Sequence, residues 1–271
     1  MTSFDDYISK ASTSYADAPQ MGDGLMRVHW FNGDQRTRTR GAFFASSLRF
    51  GDHGITPGAP WREVSRAFNS GETEDGYEAH TVRISVLHVR KADIVFDADQ
   101  QVRYIDRPPR GAPRPMGWSL HVEVLCMIEG LGIEQAVVWS SKRVKTSMAI
   151  MDVLAAYKRE ITDPMRRETG RAFAPWWGWL TISGAVNDQK QPVYEKTKGA
   201  PVTPPTLLLP PGTARERAKR MWVGPEVAAR GEELYKEFAE WATRPLGSAA
   251  PPAAPSHNTP QPIADDDDTP F

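Results

Sequence analysis

Two stretches of this chain place apolar residues at every second position, a spacing that dictates a sheet. Over residues 120–128, Leu120, Val122, Val124, Cys126 and Ile128 fall on one side. Over residues 81–89, Val82, Ile84 and Val86 oppose Thr81, Arg83 and Ser85. A period of two cannot form a helical stripe, whereas in a strand it buries one face. Weaker copies of the pattern recur. Residues 25–31 alternate and run into Asn32-Gly33, a pair suited to a tight hairpin, with residues 36–44 as the returning strand. Residues 93–96 and 101–105 flank Asp97-Ala98-Asp99-Gln100, which reads as a turn, and residues 135–139 and 177–182 supply two later strands.

Helical spacing is confined to two places. Thr146 can cap a helix running to about residue 161, with Ile150, Leu154, Tyr157 and Ile161 on one face. Pro225 suits a first helical position, and Leu234, Phe238 and Trp241 line one side of a helix ending near residue 243. The fold class expected is mainly β (β+α): an elaborated OB-fold-like barrel with long insertions at 45–78 and 106–118 or a second subdomain. A β-sandwich is the other architecture that fits, and no repeat at solenoid spacing is present. Three regions follow: a polar N-terminal arm over 1–22, a body over 23–244, and a tail over 245–271. The tail carries seven prolines and only Leu246, Ile263 and Phe271 as large apolar groups, too few to offset its ordering entropy, so disorder is expected there.

Several function classes find no footing. Cys126 is the single cysteine, which excludes an intrachain disulfide and a cysteine-rich zinc site. The start is polar and acidic rather than basic then apolar, and the longest uncharged apolar stretch, residues 172–186, is shorter than the roughly 20 residues a membrane helix needs. No membrane association and a cytoplasmic location are therefore expected. Phosphate loops, nucleophile elbows, zinc-protease helices and dinucleotide fingerprints are absent. His121-Val122-Glu123 matches half of a zinc-deaminase signature without its cysteines, and alternation places those residues along a strand. The expectation is a protein with no catalytic, cofactor or metal site.

Binding chemistry is better represented. Arg36, Arg38 and Arg40 share one face of an extended strand at steps of about 7 Å, and parity brings Phe44 to that face. Three guanidinium groups so spaced suit successive phosphates, though an exposed polar hairpin face has the same pattern. On the preceding strand Met26, Val28 and Trp30 point to a core, leaving Arg27, His29 and Phe31 as a cation–aromatic face suited to single strands. Residues 173–180 hold the densest aromatics. Trp176 faces one way, Trp177 and Trp179 the other, and one of these faces is a candidate stacking platform. Lys142, Arg143 and Lys145 precede a helix N-terminus, where phosphate is favoured. Arg107, Arg110 and Arg114, interleaved with prolines, form a basic loop able to clamp a strand.

The chain ends Asp265-Asp266-Asp267-Asp268-Thr269-Pro270-Phe271. Without the four aspartates, 33 Lys and Arg face 30 acidic residues, so the body is mildly basic and the negative charge is concentrated at one end. This tip resembles that of bacterial single-stranded DNA-binding proteins, in which an Asp-rich run closes in Pro-Phe, and of some phage counterparts with a terminal aromatic. The body lacks the bacterial family's usual N-terminal strand motif, which makes a divergent, phage-encoded relative the closer analogy. The resemblance implies binding of single-stranded DNA and recruitment of a polymerase, primase, helicase or recombinase through Asp265, Asp266, Asp267, Asp268, Pro270 and Phe271. Oligomerisation is compatible with it. A second reading is an adaptor or inhibitor that fills tip-binding pockets on replication proteins without touching DNA.

Overall fold

The computed structural model describes residues 24–33, 40–67, 73–98, 101–109, 111–132, 135–170, 173–187, 189, 191–195 and 202–247. Among these, ten strands join in one sheet: β1 (Met26–Phe31), β2 (Ala42–Ser46), β3 (Arg62–Ala67), β4 (Thr73–Ala79), β5 (Thr81–Phe96), β6 (Val102–Ile105), β7 (Trp118–Ile128), β8 (Val137–Ser141), β9 (Leu180–Gly184) and β10 (Pro205–Leu208). The order is β10-β9-β5-β7-β8-β1-β2-β4-β3, with β6 pairing the far end of β5. Pairing is antiparallel throughout except between β1 and β8, where Val28 lies opposite Trp139. The sheet curls into an open half-barrel, and the protein is mainly β with a few helices.

Both faces of the centre are covered, so β7 is buried along nearly its whole length. On the first face Val122, Val124 and Cys126 of β7 pack with Val28, Trp139 and the helix α2 (Val144–Tyr157). Ile150, Val153, Tyr157 and Ile161 are buried at helical spacing, and the helix continues through a π-turn (Lys158–Thr162) into α3 (Asp163–Thr169). Thr146 is not the cap. It lies buried inside α2, the N-cap residue is Arg143 without a side-chain cap bond, and Ser147 Oγ donates to the Ser141 carbonyl instead. On the second face Leu125, Met127 and Val138 pack under α5 (Pro225–Glu237) and α6 (Ala239–Thr243) through Leu234 and Trp241. Pro225 opens α5 as expected. Gly231 allows the close approach: a Cβ there would sit 2.8 Å from Trp176 Cδ1.

Several elements depart from the sequence reading. β5 is one 16-residue strand rather than two, with a bulge between Val86 and His88 that turns His88 onto the face of Leu125. The partner of β1 begins only at Ala42, and residues 34–39 lie outside the described residues. Residues 45–78 are not an insertion but contribute α1 (Ser47–Asp52), β3 and β4, which complete one edge of the sheet. β3 is charged on both sides, as suits an edge strand, and this hid its alternation. The strand expected from residue 177 starts at Leu180, because Pro175–Trp177 closes a 3₁₀ turn. A further helix, α4 (Ala214–Met221), is opened by a capping box between Thr213 and Glu216. Leu246 is buried, extending the body past residue 244. The arm over 1–22, and the tail from residue 248, lie outside the described residues.

Among the described residues, no helix is long and apolar enough to cross a membrane. Ile150→Ala should lower unfolding stability by about 2–5 kcal/mol in urea titration, because Ile150 is fully buried. The exposed Leu48→Ala should stay within about 0.5 kcal/mol of the parent.

Candidate nucleic-acid interface

Register aligns a polar row across the second face. Arg90 of β5 lies opposite Glu123, Glu123 opposite Ser140, and Ser140 opposite His29. The row continues from His29 to Phe44, Glu78 and Arg62. Glu123 is its electrostatic centre. Arg27 Nη1 binds one carboxylate oxygen, while Arg90 Nε and Nη2 reach the other at 2.8 and 2.7 Å. His121 Nε2 stands 3.4 Å from Glu123 Oε1, and Tyr104 Oη lies 2.9 Å from His121 Nδ1. A neutral imidazole donating from Nε2 and accepting at Nδ1 satisfies both contacts. Burial works to raise the Glu123 pKa, but the His121 hydrogen bond and the Arg27 and Arg90 charges outweigh it and hold the group well below the ordinary carboxylate range. Burial likewise lowers the His121 pKa and lifts the Tyr104 hydroxyl to about 12.

Next to this centre the cations lose their carboxylates. Arg49 of α1 donates from Nη1 to His29 Nε2 at 2.9 Å. A guanidinium cannot accept, so His29 carries its proton on Nδ1, turned to the Ser140 backbone. Close packing around a part-exposed ring, then Arg49 and Arg27, hold His29 down at about 3. Arg49 makes no carboxylate ion pair among the described residues. Lys142 follows β8, its carbonyl accepting from Ser119 Oγ at 2.6 Å; its half-buried side chain makes no hydrogen bond or ion pair among the described residues. Burial lowers the pKa of both cations and Arg27 adds to each, against the opposing pull of Glu74 on Arg49 and of Glu123 on Lys142. Phe31 ends β1 on the same face, edge-on to Phe44 at 5.2 Å, with the Arg66 guanidinium 4.9 Å from its centroid.

The structure therefore brings Arg27, Phe31, Phe44 and Lys142 together, but not all as contact residues. Arg27 is turned inward to Glu123. Phe44 is 2% exposed, because β4 packs beside it, and offers no ring face to a base. Arg40 is half-buried ahead of β2 instead of on a strand; Arg36 and Arg38 lie outside the described residues, so the three-arginine face does too. Arg143 is exposed at the N-cap of α2, while Lys145 turns away to Glu195 at 3.7 Å. Arg114 stacks on Trp118 at 3.8 Å and, with Arg107, reaches Asp93 at 3.3 and 3.4 Å. That buried carboxylate pins the basic loop to the sheet. Arg110 and the tip, Asp265 to Asp268 with Pro270 and Phe271, lie outside the described residues. Trp177 is exposed, but Trp179 is 8% exposed in the second core and is no platform. Its turn precedes β9, so strand parity did not apply.

Sequence reasoning missed Arg49, Arg62 and Arg66. Arg62-Glu-Val-Ser-Arg66 has a cation at each end of an i, i+4 interval, so period two places both on one face. Arg49 carried no pattern, since its role arises from α1 folding over β1. No group of three or more His, Cys, Asp or Glu side chains positioned to hold a metal occurs among the described residues. No family model, curated protein or solved structure matches the chain.

The pH response of stability follows from His29. Its folded pKa of about 3 lies below the ordinary 6.5, so the unfolded chain binds the extra proton between those values. Stability from this site should be complete above about pH 6.5 and fall progressively towards pH 3. Denaturant titrations across that window should show a shallower decline for His29→Gln, which keeps an acceptor for Arg49.

Proposed function

We propose that this protein binds single-stranded DNA without sequence preference through the second face of its sheet. The observation that carries the reading is the pair Arg49 and Lys142, half-buried cations that make no carboxylate ion pair among the described residues, set beside the part-exposed ring of Phe31. Burial disfavours both charges more than the fields of Glu74 and Glu123 favour them, and a phosphodiester would supply a direct counter-charge. Arg62 and Arg66 extend the positive line towards the sheet edge, tempered by Glu78, which accepts from both. Phe31 offers a π-face beside them, a combination that tolerates any base. Glu123 with Arg27 and Arg90 acts beneath as an ion-paired base layer rather than as a contact surface. The curled sheet also supports reading the body as an elaborated relative of OB-type barrels. The tip, Asp265 to Asp268 with Pro270 and Phe271, would recruit a polymerase, primase, helicase or recombinase: aspartates speed encounter with a basic rim and the terminal ring fills an apolar pocket.

The test is anisotropy of labelled oligo-dT against salt concentration. Binding should weaken as salt rises, and Arg49→Ala with Lys142→Ala should flatten the log–log slope by about 0.7 for each phosphate no longer neutralised. Folded protein that fails to bind oligo-dT at low salt would overturn the reading.

A further inference from the structure

Two tryptophans stand out on a surface separate from that face. Trp222 is 44% exposed and Trp177 36%, with ring centroids 6.4 Å apart and planes at 78°. Phe173 abuts Trp177 edge-on at 5.6 Å. Neither exposed tryptophan belongs to either apolar core. Yet their backbones are fixed: Gly178 bridges Trp222, Trp179 N donates to Met221 O at 2.7 Å, and Val223 N donates to Trp177 O at 3.2 Å. Rings exposed to water on so firmly held a backbone are pre-organised for a ligand with flat apolar faces.

The adjoining charge is cationic. Trp222 caps the C-terminal end of α4, whose last turn carries Lys219 and Arg220. Among the described residues neither meets a carboxylate: Arg220 donates to the Pro211 carbonyl at 3.1 Å, and Lys219 has no side-chain partner. Glu216 feels both charges, but its carboxylate is held by the Thr213 cap and forms no ion pair with either. Arg215 and Arg217 pair with Glu168 and Glu160, while Arg166 and Arg167 of α3 are exposed beside them. Paired, edge-linked aromatics flanked by cations without an ion pair match the alternation of base and phosphate in a single strand.

We infer that Trp177 and Trp222, with Lys219 and Arg220, form a second stacking site for single-stranded nucleic acid. Its role as an auxiliary site rests on the sheet-face reading, but its residues can be tested separately. With both sites engaged, one strand is held at two points, and local concentration raises overall affinity beyond that of either site.

The experiment compares binding of an oligo-dT of about 30 nucleotides by full-length wild type, Trp222→Ala, Lys219→Glu with Arg220→Glu, and Arg49→Ala with Lys142→Ala. Thermal melts verify folding. Trp222→Ala and the charge reversal should each weaken binding about tenfold, as removal of a stacking partner or of the cations beside it would. The same weakening in Trp222→Ala, with the Arg49/Lys142 variant binding as wild type, would support this site and sink the sheet-face reading. Wild-type affinity in both the Trp222 and the Lys219/Arg220 variants would overturn this inference whatever the sheet-face variant does. So would capture of an acidic peptide at Trp222 with oligo-dT affinity unchanged.

Discussion

The buried carboxylate of Glu123 is the interaction on which the second face depends. It sits on the central strand and is held by Arg27 from β1, by Arg90 from β5, and by His121 from its own strand. Two guanidinium groups this deep would be untenable without it, and the carboxylate would be as costly without them. Removing one partner from such a buried set typically costs about 3–5 kcal/mol, because the remaining charge is stranded. Below Arg27 and Glu123 the same face is apolar and sealed by α5 and α6; beyond them it is polar and cationic. Glu123 thus marks the border between a surface that must be covered and one that can remain accessible.

The pattern of neutral and charged groups follows from that border. His29 and His121 are both pushed towards the uncharged form by burial first; positive neighbours come next for His29, whereas Glu123 opposes the shift at His121, and both rings act as hydrogen-bonding spacers. Arg49 and Lys142 lie one step further out, where they feel Glu74 and Glu123 but form no ion pair among the described residues. The face is graded from ion-paired charge at its centre to cations without a direct ion pair beside Phe31. Such a gradient draws anions towards one place on the surface.

Much of the sheet was legible in the sequence, because β1, β5 and β7 bury one face fully and alternation records that directly. Met26, Val28 and Trp30 are in the core as the pattern requires, and Pro225 opens its helix. What escaped was structure set by context. β3 is a polar edge strand and β4 its acidic neighbour, and the parallel partnership of β1 with β8 leaves no local trace. The Thr213–Glu216 capping box was readable but overlooked. For the candidate site, parity correctly put Arg27, His29 and Phe31 on one face. Parity could not reveal that Glu123 would draw Arg27 inward, or that β4 would cover Phe44. Trp179 misled for a simpler reason: Pro175 opens a turn where a strand was expected.

The parallel pairing of β1 and β8 also governs the order in which this molecule can assemble. β2, β4 and β3 connect to β1 in a ladder of near-neighbour pairings, but β1 meets the rest of the sheet only through Met26–Val137 and the pairs beyond it. During synthesis β1 must wait for more than a hundred residues before its docking strand emerges, with one of its edges unsatisfied meanwhile. Contacts so distant in sequence slow folding and leave sticky edges exposed. The positive charge of Arg27 on that flank thus has a second value: it helps to keep a waiting edge soluble until β8 arrives.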